Sequence, residues 1–168
     1  MRTQQRACQQ KSLEHRVVCQ KQKMLKRNLR GKRMKRNGIL NSDISRVLSF
    51  MGHTYRFCIG DCGLPIPDET ERIDLAVKFG QPTFMEVLKE VGKDMKIEKI
   101  ILAEEINEKN PKVLTEITEY FADADVMPEI EFVPHVELKA LTKDCKAVIR
   151  TGETTPYANI ILQSGCIF

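Results

Sequence analysis

The groups best suited to proton-transfer chemistry in this 168-residue chain are two histidines and an aspartate. His53 and Asp61 flank the short apolar run Phe57-Cys58-Ile59, whereas His135 lies far downstream. An imidazole can give or accept a proton near neutral pH, as a general acid or base must. His53 follows the end of a predicted helix, where the dipole favours the cation by up to ~1 kcal/mol. A carboxylate from Asp61 nearby would favour the cation further. These residues therefore make a candidate acid–base pair.

Each of these residues also has a structural interpretation. The run Gly60-Asp61-Cys62-Gly63 is typical of a turn, and a lone histidine such as His135 is more often a surface or capping residue. The segment Thr155-Pro156-Tyr157-Ala158-Asn159 offers a hydroxyl, an aromatic ring and an amide in a loop that proline makes rigid. Such a loop suits a polyhydroxylated ligand, although a structural loop would tolerate the same residues. Spacing alone leaves catalysis and turn chemistry equally open.

Other common chemistries lack their motifs. The sequence has no Gly-rich phosphate loop, no His-Glu-x-x-His and no Gly-x-Ser-x-Gly. Cys58 and Cys62 could begin a metal site, but no second ligand pair follows at a suitable spacing, so we expect no metal. Cys58 is predicted to be buried and Cys62 has no base close in sequence, which argues weakly against a catalytic cysteine. Six cysteines are too few for a disulfide scaffold, and a reducing cytoplasm is the expected compartment.

The elements that must position these groups alternate between strands and helices. Predicted strands centre on apolar runs: Phe57-Cys58-Ile59, Ile73 to Val77, Ile100 to Ala103, Ile130 to Val133, Ala147 to Ile149, and Ile160 to Leu162. Predicted helices follow Asn41, with Gly52 as the C-cap, then Pro82 and Asn110, and a short one spans Leu138 to Cys145. Short connections between these elements indicate an α/β fold, a layered α/β/α single domain with a largely parallel central sheet.

The carboxyl ends of parallel strands are where such folds bind ligands. Asp61 follows one predicted strand, Glu104-Glu105 another, His135 another and Thr151-Gly152-Glu153 another. We therefore expect these polar side chains to gather at one edge of the sheet.

The charge is unevenly distributed. Residues 1–33 hold eleven Lys and Arg against the single acid Glu14, whereas residues 34–168 carry a net charge of −6. The basic pI is thus a property of the leader, and the acidic body argues against nucleic acid as a partner. No apolar run approaches the ~20 residues needed to span a bilayer.

The leader, residues 1–33, has several interpretations. It could form a basic amphipathic helix or an organellar presequence, but we favour an over-extended start or a dispensable, disordered tail. Residues 34–168 are then the functional domain. At the other end, the apolar pair Ile167-Phe168 is predicted to belong to a strand, and we expect it to pack against something, such as a neighbouring subunit.

The body resembles the D-ribose pyranase (RbsD) family of sugar mutarotases, to which the fucose mutarotases are related. The matching motifs are Gly38-Ile39-Leu40-Asn41-Ser42, Gly52-His53-Thr54, Asp61-Cys62-Gly63-Leu64-Pro65-Ile66-Pro67-Asp68, Arg72-Ile73-Asp74-Leu75, Arg150-Thr151-Gly152-Glu153 and Thr155-Pro156-Tyr157-Ala158-Asn159. They run in order from about Met34 to the last residue. Two departures are visible: Tyr55 stands where aspartate is common, and Gly60 where alanine usually precedes the aspartate. Tyr55 could alter the rim of the pocket.

The resemblance implies interconversion of ribose pyranose and furanose forms without cofactor or metal. It implies that His53 is the proton donor. It assigns sugar contacts to the remaining site residues: Asp61, His135, Lys139, Tyr157, Ala158 and Asn159. It also implies a homo-oligomer, a decamer of two pentameric rings with sites between subunits, which binds D-ribose and neither nucleic acid nor membrane. The alternatives are a mutarotase for L-fucose or another sugar, and a non-catalytic sugar-binding regulatory subunit.

Overall fold

The computed structural model describes residues 38–123 and 127–167. The leader and its predicted boundary at Met34 lie outside these residues. The described elements, in chain order, are α1 (Ser42–Phe50), β1 (Arg56–Gly60), β2 (Arg72–Asp74), α2 (Phe84–Asp94), β3 (Ile97–Ala103), α3 (Ile106–Lys109), α4 (Pro111–Asp123), β4 (Glu129–Val133), α5 (His135–Leu141), a 3-10 turn (Thr142–Asp144), β5 (Cys145–Arg150) and β6 (Ile160–Ser164).

The three long helices begin at side-chain caps that are visible in the sequence. The Asn41 side chain accepts hydrogen bonds from the N–H groups of Asp43 and Ile44, each at 3.0 Å, at the start of α1. Thr83 and Glu86 form a reciprocal capping box at the start of α2. Helix α4 begins at the predicted pair Asn110-Pro111. These caps confirm the predicted start of each helix.

The six strands of the described residues form one sheet in the order β2-β5-β1-β6-β3-β4. Strand β6 runs antiparallel to both neighbours, β1 and β3, whereas the other pairs are parallel. Five strands therefore point the same way, which confirms the prediction of a largely parallel central sheet. Their carboxyl ends meet at one edge, called here the carboxyl edge, and their amino ends at the opposite amino edge.

Alternate side chains of each strand enter two separate cores. In β1, Phe57 and Ile59 pack with α1, α2 and α4 on one face of the sheet. Cys58 lies on the other face with Leu138 of α5 and Leu64 of the loop after β1. Since both faces are covered, the domain is a layered α/β/α structure, as predicted.

Four local predictions need correction. Helix α1 ends at Phe50 and its C-cap is Met51, which has an extended backbone, so Gly52 is not the C-cap. The left-handed residue of the following turn is Thr54 (φ 67°). Strand β2 stops at Asp74 because the Asp74 side chain accepts a hydrogen bond from the Ala76 N–H and turns the chain. Cys145 begins β5 and does not belong to the preceding helix. Strand β6 ends at Ser164, and Ile167 beyond it is 88% exposed.

Within the described ranges no helix is long and apolar enough to cross a membrane.

Candidate functional site

A pocket of about 400 Å³ opens at the carboxyl edge of the sheet. It is lined by the loop after β1, the first turns of α5 and the loop between β5 and β6. The lining residues are Asp61, Cys62, Gly63, Leu64, Pro65, His135, Lys139, Glu153, Thr154, Thr155, Pro156, Tyr157 and Asn159. The rule that ligands bind at the carboxyl ends of parallel strands, called here the strand-end rule, thus correctly brought Asp61, His135 and the region around Glu153 together. Glu104 and Glu105 are not among the lining residues.

Asp61 and Asn159 form a reciprocal pair at the floor of this pocket. The Asp61 N–H donates to Asn159 Oδ1 at 2.9 Å, and Asn159 Nδ2 donates to Asp61 Oδ2, also at 2.9 Å. The Gly63 N–H donates to the other Asp61 oxygen. Asn159 is fully buried, so it holds the carboxylate in one orientation. Each carboxylate oxygen can accept a further hydrogen bond, which leaves capacity for a ligand hydroxyl.

The loop from Glu153 to Tyr157 is held from two sides. Glu153 Oε1 accepts from the Thr154 N–H and from both the N–H and the hydroxyl of Thr155, at 2.9–3.0 Å. Its second oxygen accepts from the Phe84 N–H at the start of α2. From the other side, Asn110 Nδ2 donates to the Pro156 carbonyl at 2.9 Å. Tyr157 in this loop has a left-handed backbone (φ 61°), a conformation that needs such support.

An imidazole and a phenol that line the pocket pack against each other. The rings of His135 and Tyr157 are T-shaped, with centroids 5.0 Å apart. The Glu105 carboxylate accepts a hydrogen bond from the backbone N–H of His135 and so fixes the first residue of α5. His135 Nδ1 is buried and has no hydrogen-bond partner among the described residues. Lys139 lies one helical turn further along, on the same face of α5. Ala158 is fully buried behind the loop.

His53 does not join this pocket within one chain. It precedes β1 at the amino edge, whereas Asp61 follows β1, so the two lie roughly 20 Å apart at ~3.3 Å per extended residue. The expected pairing of His53 with Asp61 is therefore wrong for a single chain. The carboxylate partner of His53 is Glu98 at the start of β3: His53 Nε2 lies 2.9 Å from Glu98 Oε2. Hydrogen bonds from Gln163 and then His53 lower the pKa of the Glu98 carboxyl below its usual value.

A second cavity, of about 360 Å³, adjoins His53 at the amino edge. It is lined by Leu48, Met51, His53, Asp94, Met95, Lys96, Ser164, Gly165, Cys166 and Ile167. The His53 side chain is 52% exposed here. The candidate site residues thus fall into two half-sites: the pocket at the carboxyl edge and His53 with Glu98 at the amino edge.

Sequence reasoning missed two residues that organise these half-sites. Glu98 is 45 residues from His53 and precedes its strand's apolar run, whereas the strand-end rule considers only carboxyl ends. The sequence indicates Asn110 only as a helix cap, but its side-chain amide also holds the loop from Glu153 to Tyr157. Asn110 is almost fully buried (7% exposed), and this burial, which only the structure reveals, indicates that its side chain has a structural partner.

Two of the four described cysteines, Cys58 and Cys145, are buried. Cys58 is fully buried, and burial raises the pKa of its thiol well above the usual value. Among the described residues, no three His, Cys, Asp or Glu side chains are close enough together to hold a metal ion.

Comparison with known proteins identifies the family. The model of the RbsD / FucU transport protein family matches residues 34–167. This chain belongs to that family. A D-ribose pyranase from Clostridium perfringens is 53% identical over 135 residues, which cover 80% of this chain and 100% of the relative. A D-ribose pyranase from Bacillus cereus is also 53% identical over 135 residues, with the same coverage.

Two solved structures share the fold of this chain. The structure of Bacillus subtilis RbsD complexed with D-ribose matches with a TM-score of 0.76 and 46% identity, over 80% of this chain and 100% of that one. A fucose mutarotase from Streptococcus pneumoniae, in complex with L-fucose, matches with a TM-score of 0.66 over 77% of this chain and 95% of that one. At 19% identity, the second comparison shows a common fold only.

Proposed function

We propose that this protein is a D-ribose pyranase, an isomerase that interconverts the pyranose and furanose forms of D-ribose. The observation that carries the proposal is the 53% identity to D-ribose pyranases over their whole length. The pocket at the carboxyl edge supports it, since it gathers the hydroxyl-binding groups that a small sugar requires. Its volume of about 400 Å³ also suits a pentose.

In this proposal the pocket at the carboxyl edge binds the sugar. Asp61 accepts hydrogen bonds from sugar hydroxyls, and Asn159 keeps its carboxylate in place. The imidazole of His135 and the ammonium of Lys139, which both line the pocket, contact further hydroxyls. Tyr157 covers one face of the sugar and offers its phenol, and Ala158 fixes the backbone of the loop.

His53 is the proton-transfer residue and reaches the sugar from a neighbouring copy of the chain. A single chain separates His53 from Asp61 by the length of β1, so the two half-sites must come from different copies to act together. Exposed apolar side chains lie near both half-sites, and such side chains favour the association of one copy of the chain with another. Phe50 and Ile167 are 77% and 88% exposed near the amino edge, and Phe79 and Val136 are 86% and 74% exposed near the carboxyl edge.

The reaction needs proton transfers and no electron transfer. The bond between the anomeric carbon and the ring oxygen breaks, the ring oxygen gains a proton, and the anomeric hydroxyl loses one to become a carbonyl. A different hydroxyl of the open-chain sugar then attacks the carbonyl carbon, and the reverse proton movements close the other ring. Positioned acid–base catalysis accelerates such steps about 10²–10⁴-fold. We propose that the enzyme uses neither cofactor nor metal.

We also propose a homodecamer of two pentameric rings in the cytoplasm, with each site shared between copies. Heterologous contacts that repeat around a ring would give every copy one partner for each of its half-sites. The four described cysteines are free, which suits a reducing compartment.

NMR exchange spectroscopy tests the catalytic proposal. The exchange between ribopyranose and ribofuranose should accelerate with the protein present, and more than the exchange of fucose or other sugars. His53→Ala should lose most of this acceleration, about 10²–10⁴-fold. Equal acceleration in His53→Ala would refute the role of His53. Ribose binding without any acceleration would instead indicate a regulatory sugar-binding subunit.

Mixed oligomers test the shared site. His53→Ala and Asp61→Ala should each be inactive, but oligomers assembled from equal amounts should regain about a quarter of wild-type activity if each site combines two copies. Such sites pair an intact Asp61 from one variant with an intact His53 from the other. Mixtures that stay inactive, while wild-type and variant subunits demonstrably exchange, would refute the shared site.

A further inference from the structure

The turn that carries His53 is fixed by the last residue of β6. The Ser164 carbonyl accepts from the Thr54 N–H, and the Ser164 N–H donates to the Tyr55 carbonyl, both at 2.9 Å. The Ser164 hydroxyl is hydrogen-bonded to the carbonyls of Gly52 and Tyr55. The backbone on both sides of His53 is therefore held by a single residue.

The residues on either side of Ser164 fix the carboxylate that meets the imidazole. Gln163 Nε2 donates to Glu98 Oε1 at 2.9 Å, which leaves Glu98 Oε2 directed at His53 Nε2. The side-chain oxygen Oε1 of Gln163 accepts from Arg56 Nε at 3.4 Å, which sets the orientation of the side-chain amide. A Cβ at Gly165 would lie 2.9 Å from Glu98 Cβ and 3.2 Å from its Oε2, so the space that glycine leaves is filled by Glu98.

We propose that Glu98 is a positioning residue for the reaction: it accepts the Nε2–H of His53 and leaves Nδ1 as the atom that exchanges protons with the sugar. This inference rests on the proposed function, since it assigns the working atom of the proposed proton-transfer residue. Glu98 has no contact with the pocket at the carboxyl edge and acts only through His53.

The assignment of nitrogens follows from the chemistry of the two partners. An ionised carboxylate can only accept hydrogen bonds, so the His53 nitrogen that faces it must carry the hydrogen. The neutral imidazole is then held as the Nε2–H tautomer, with its lone pair on Nδ1. Nδ1 can accept the proton that leaves the anomeric hydroxyl. The resulting imidazolium, stabilised by Glu98, can deliver a proton from Nδ1 to the ring oxygen, so no proton is left over.

Kinetics of three variants test the positioning role. Glu98→Ala should lower kcat for ribose exchange about 10–100-fold, as is usual for partners that orient an active histidine, and leave KM within about twofold. Glu98→Gln should show an intermediate loss, because its carbonyl can accept from Nε2 without supplying the charge. Glu131→Gln is the matched control, since it removes a carboxylate from a comparably exposed strand ion pair with Lys99, and it should keep wild-type kcat.

Nitrogen-15 NMR of histidine-labelled protein reads the tautomer directly. With His53→Ala used to assign the signal, neutral His53 should be the Nε2–H tautomer in the wild type and in Glu131→Gln. In Glu98→Ala it should become a mixture of both tautomers. This measurement needs no sugar, so it tests the contact between Glu98 and His53 even if the wild type fails to accelerate ribose exchange. Such a failure would refute only the proposed function.

Three outcomes would overturn the proposal. The first is an Nδ1–H tautomer of His53 in the wild type. The second is a kcat in Glu98→Ala equal to that of Glu131→Gln. The third is a loss in Glu98→Ala that appears wholly in KM, because that pattern belongs to ground-state binding.

Discussion

Replacing Glu153 with glutamine should loosen the loop that lines the sugar pocket. The Glu153 carboxylate accepts four hydrogen bonds: three from Thr154 and Thr155 within the loop, and one from the Phe84 N–H at the start of α2. Glutamine has the same shape but only one accepting oxygen, and its amide group would face a donor. The substitution therefore weakens the link between the loop and helix α2 without creating a cavity.

The size of the effect follows from the number and type of these hydrogen bonds. A hydrogen bond to a charged group contributes about 1 kcal/mol more than a neutral one, so the four bonds set an upper bound of about 4 kcal/mol. The Glu153 side chain is partly exposed, and solvent screening reduces this to about 2 kcal/mol. For a domain of this size the melting temperature should fall by about 6 °C at fixed protein concentration.

The same carboxylate gives the effect a pH dependence with a definite sign. Partial burial alone would raise the pKa of Glu153, but hydrogen bonds from Thr155, Phe84 and Thr154 outweigh burial and hold it below the ordinary value of 4.5. A group whose pKa is lower in the folded state stabilises the fold above its ordinary pKa. The stabilisation is then lost as the pH falls through the folded-state value.

Thermal unfolding of the wild type and Glu153→Gln across pH measures this directly. The gap in melting temperature should be full at pH 7 and should narrow below about pH 4.5, because a protonated Glu153 resembles glutamine. Glu69→Gln, at an exposed loop position, is the matched control and should follow the wild type. A gap that stays constant with pH, or is absent at pH 7, would refute the role assigned to the carboxylate.

Three further predictions concern binding, folding and thiol reactivity. Asn159→Ala should raise the KM for ribose by about tenfold or more and lower kcat less, because Asp61 loses one charged and one neutral hydrogen bond; an unchanged KM would contradict this. Gly152→Ala should reduce the yield of folded protein, since its Cβ would lie 2.3 Å from the Gln81 carbonyl oxygen; wild-type stability would show that this approach is not required. Mass spectrometry after thiol alkylation at pH 7 should find Cys145 unmodified in the folded protein, because burial raises its pKa to about 12; rapid alkylation would argue against that burial.

Local sequence signals predicted most of the fold. In the part of the chain that the structure describes, the apolar runs located all six strands, and the spacing of apolar residues located α1, α2 and α4, because each element buries one face against a core. The strand-end rule grouped Asp61 with His135, since parallel strands end at the same edge. These predictions succeeded where the determining contacts are periodic or close in sequence.

The predictions failed where a contact depends on strand order. The partner of His53 is Glu98, and which strands lie side by side cannot be read from their individual patterns. The apolar run of β6 resembles those of the parallel strands, so nothing in it reveals that β6 is antiparallel or that it separates β1 from β3. The link between Asn110 and the Pro156 carbonyl was missed for the same reason, since it joins residues 46 positions apart.

The reversed direction of β6 explains how one chain builds both half-sites. Because β6 opposes its neighbours, its start lies at the carboxyl edge, where Asn159 holds Asp61, and its end lies at the amino edge, where Ser164 and Gln163 hold the turn of His53 and its carboxylate. Five strand residues fix the distance and orientation between these two anchors. If neighbouring copies share sites as we propose, every copy supplies its imidazole to one site and its pocket to another. A shift of β6 would then disturb two sites at once, which is a physical reason for burying this strand in the middle of the sheet.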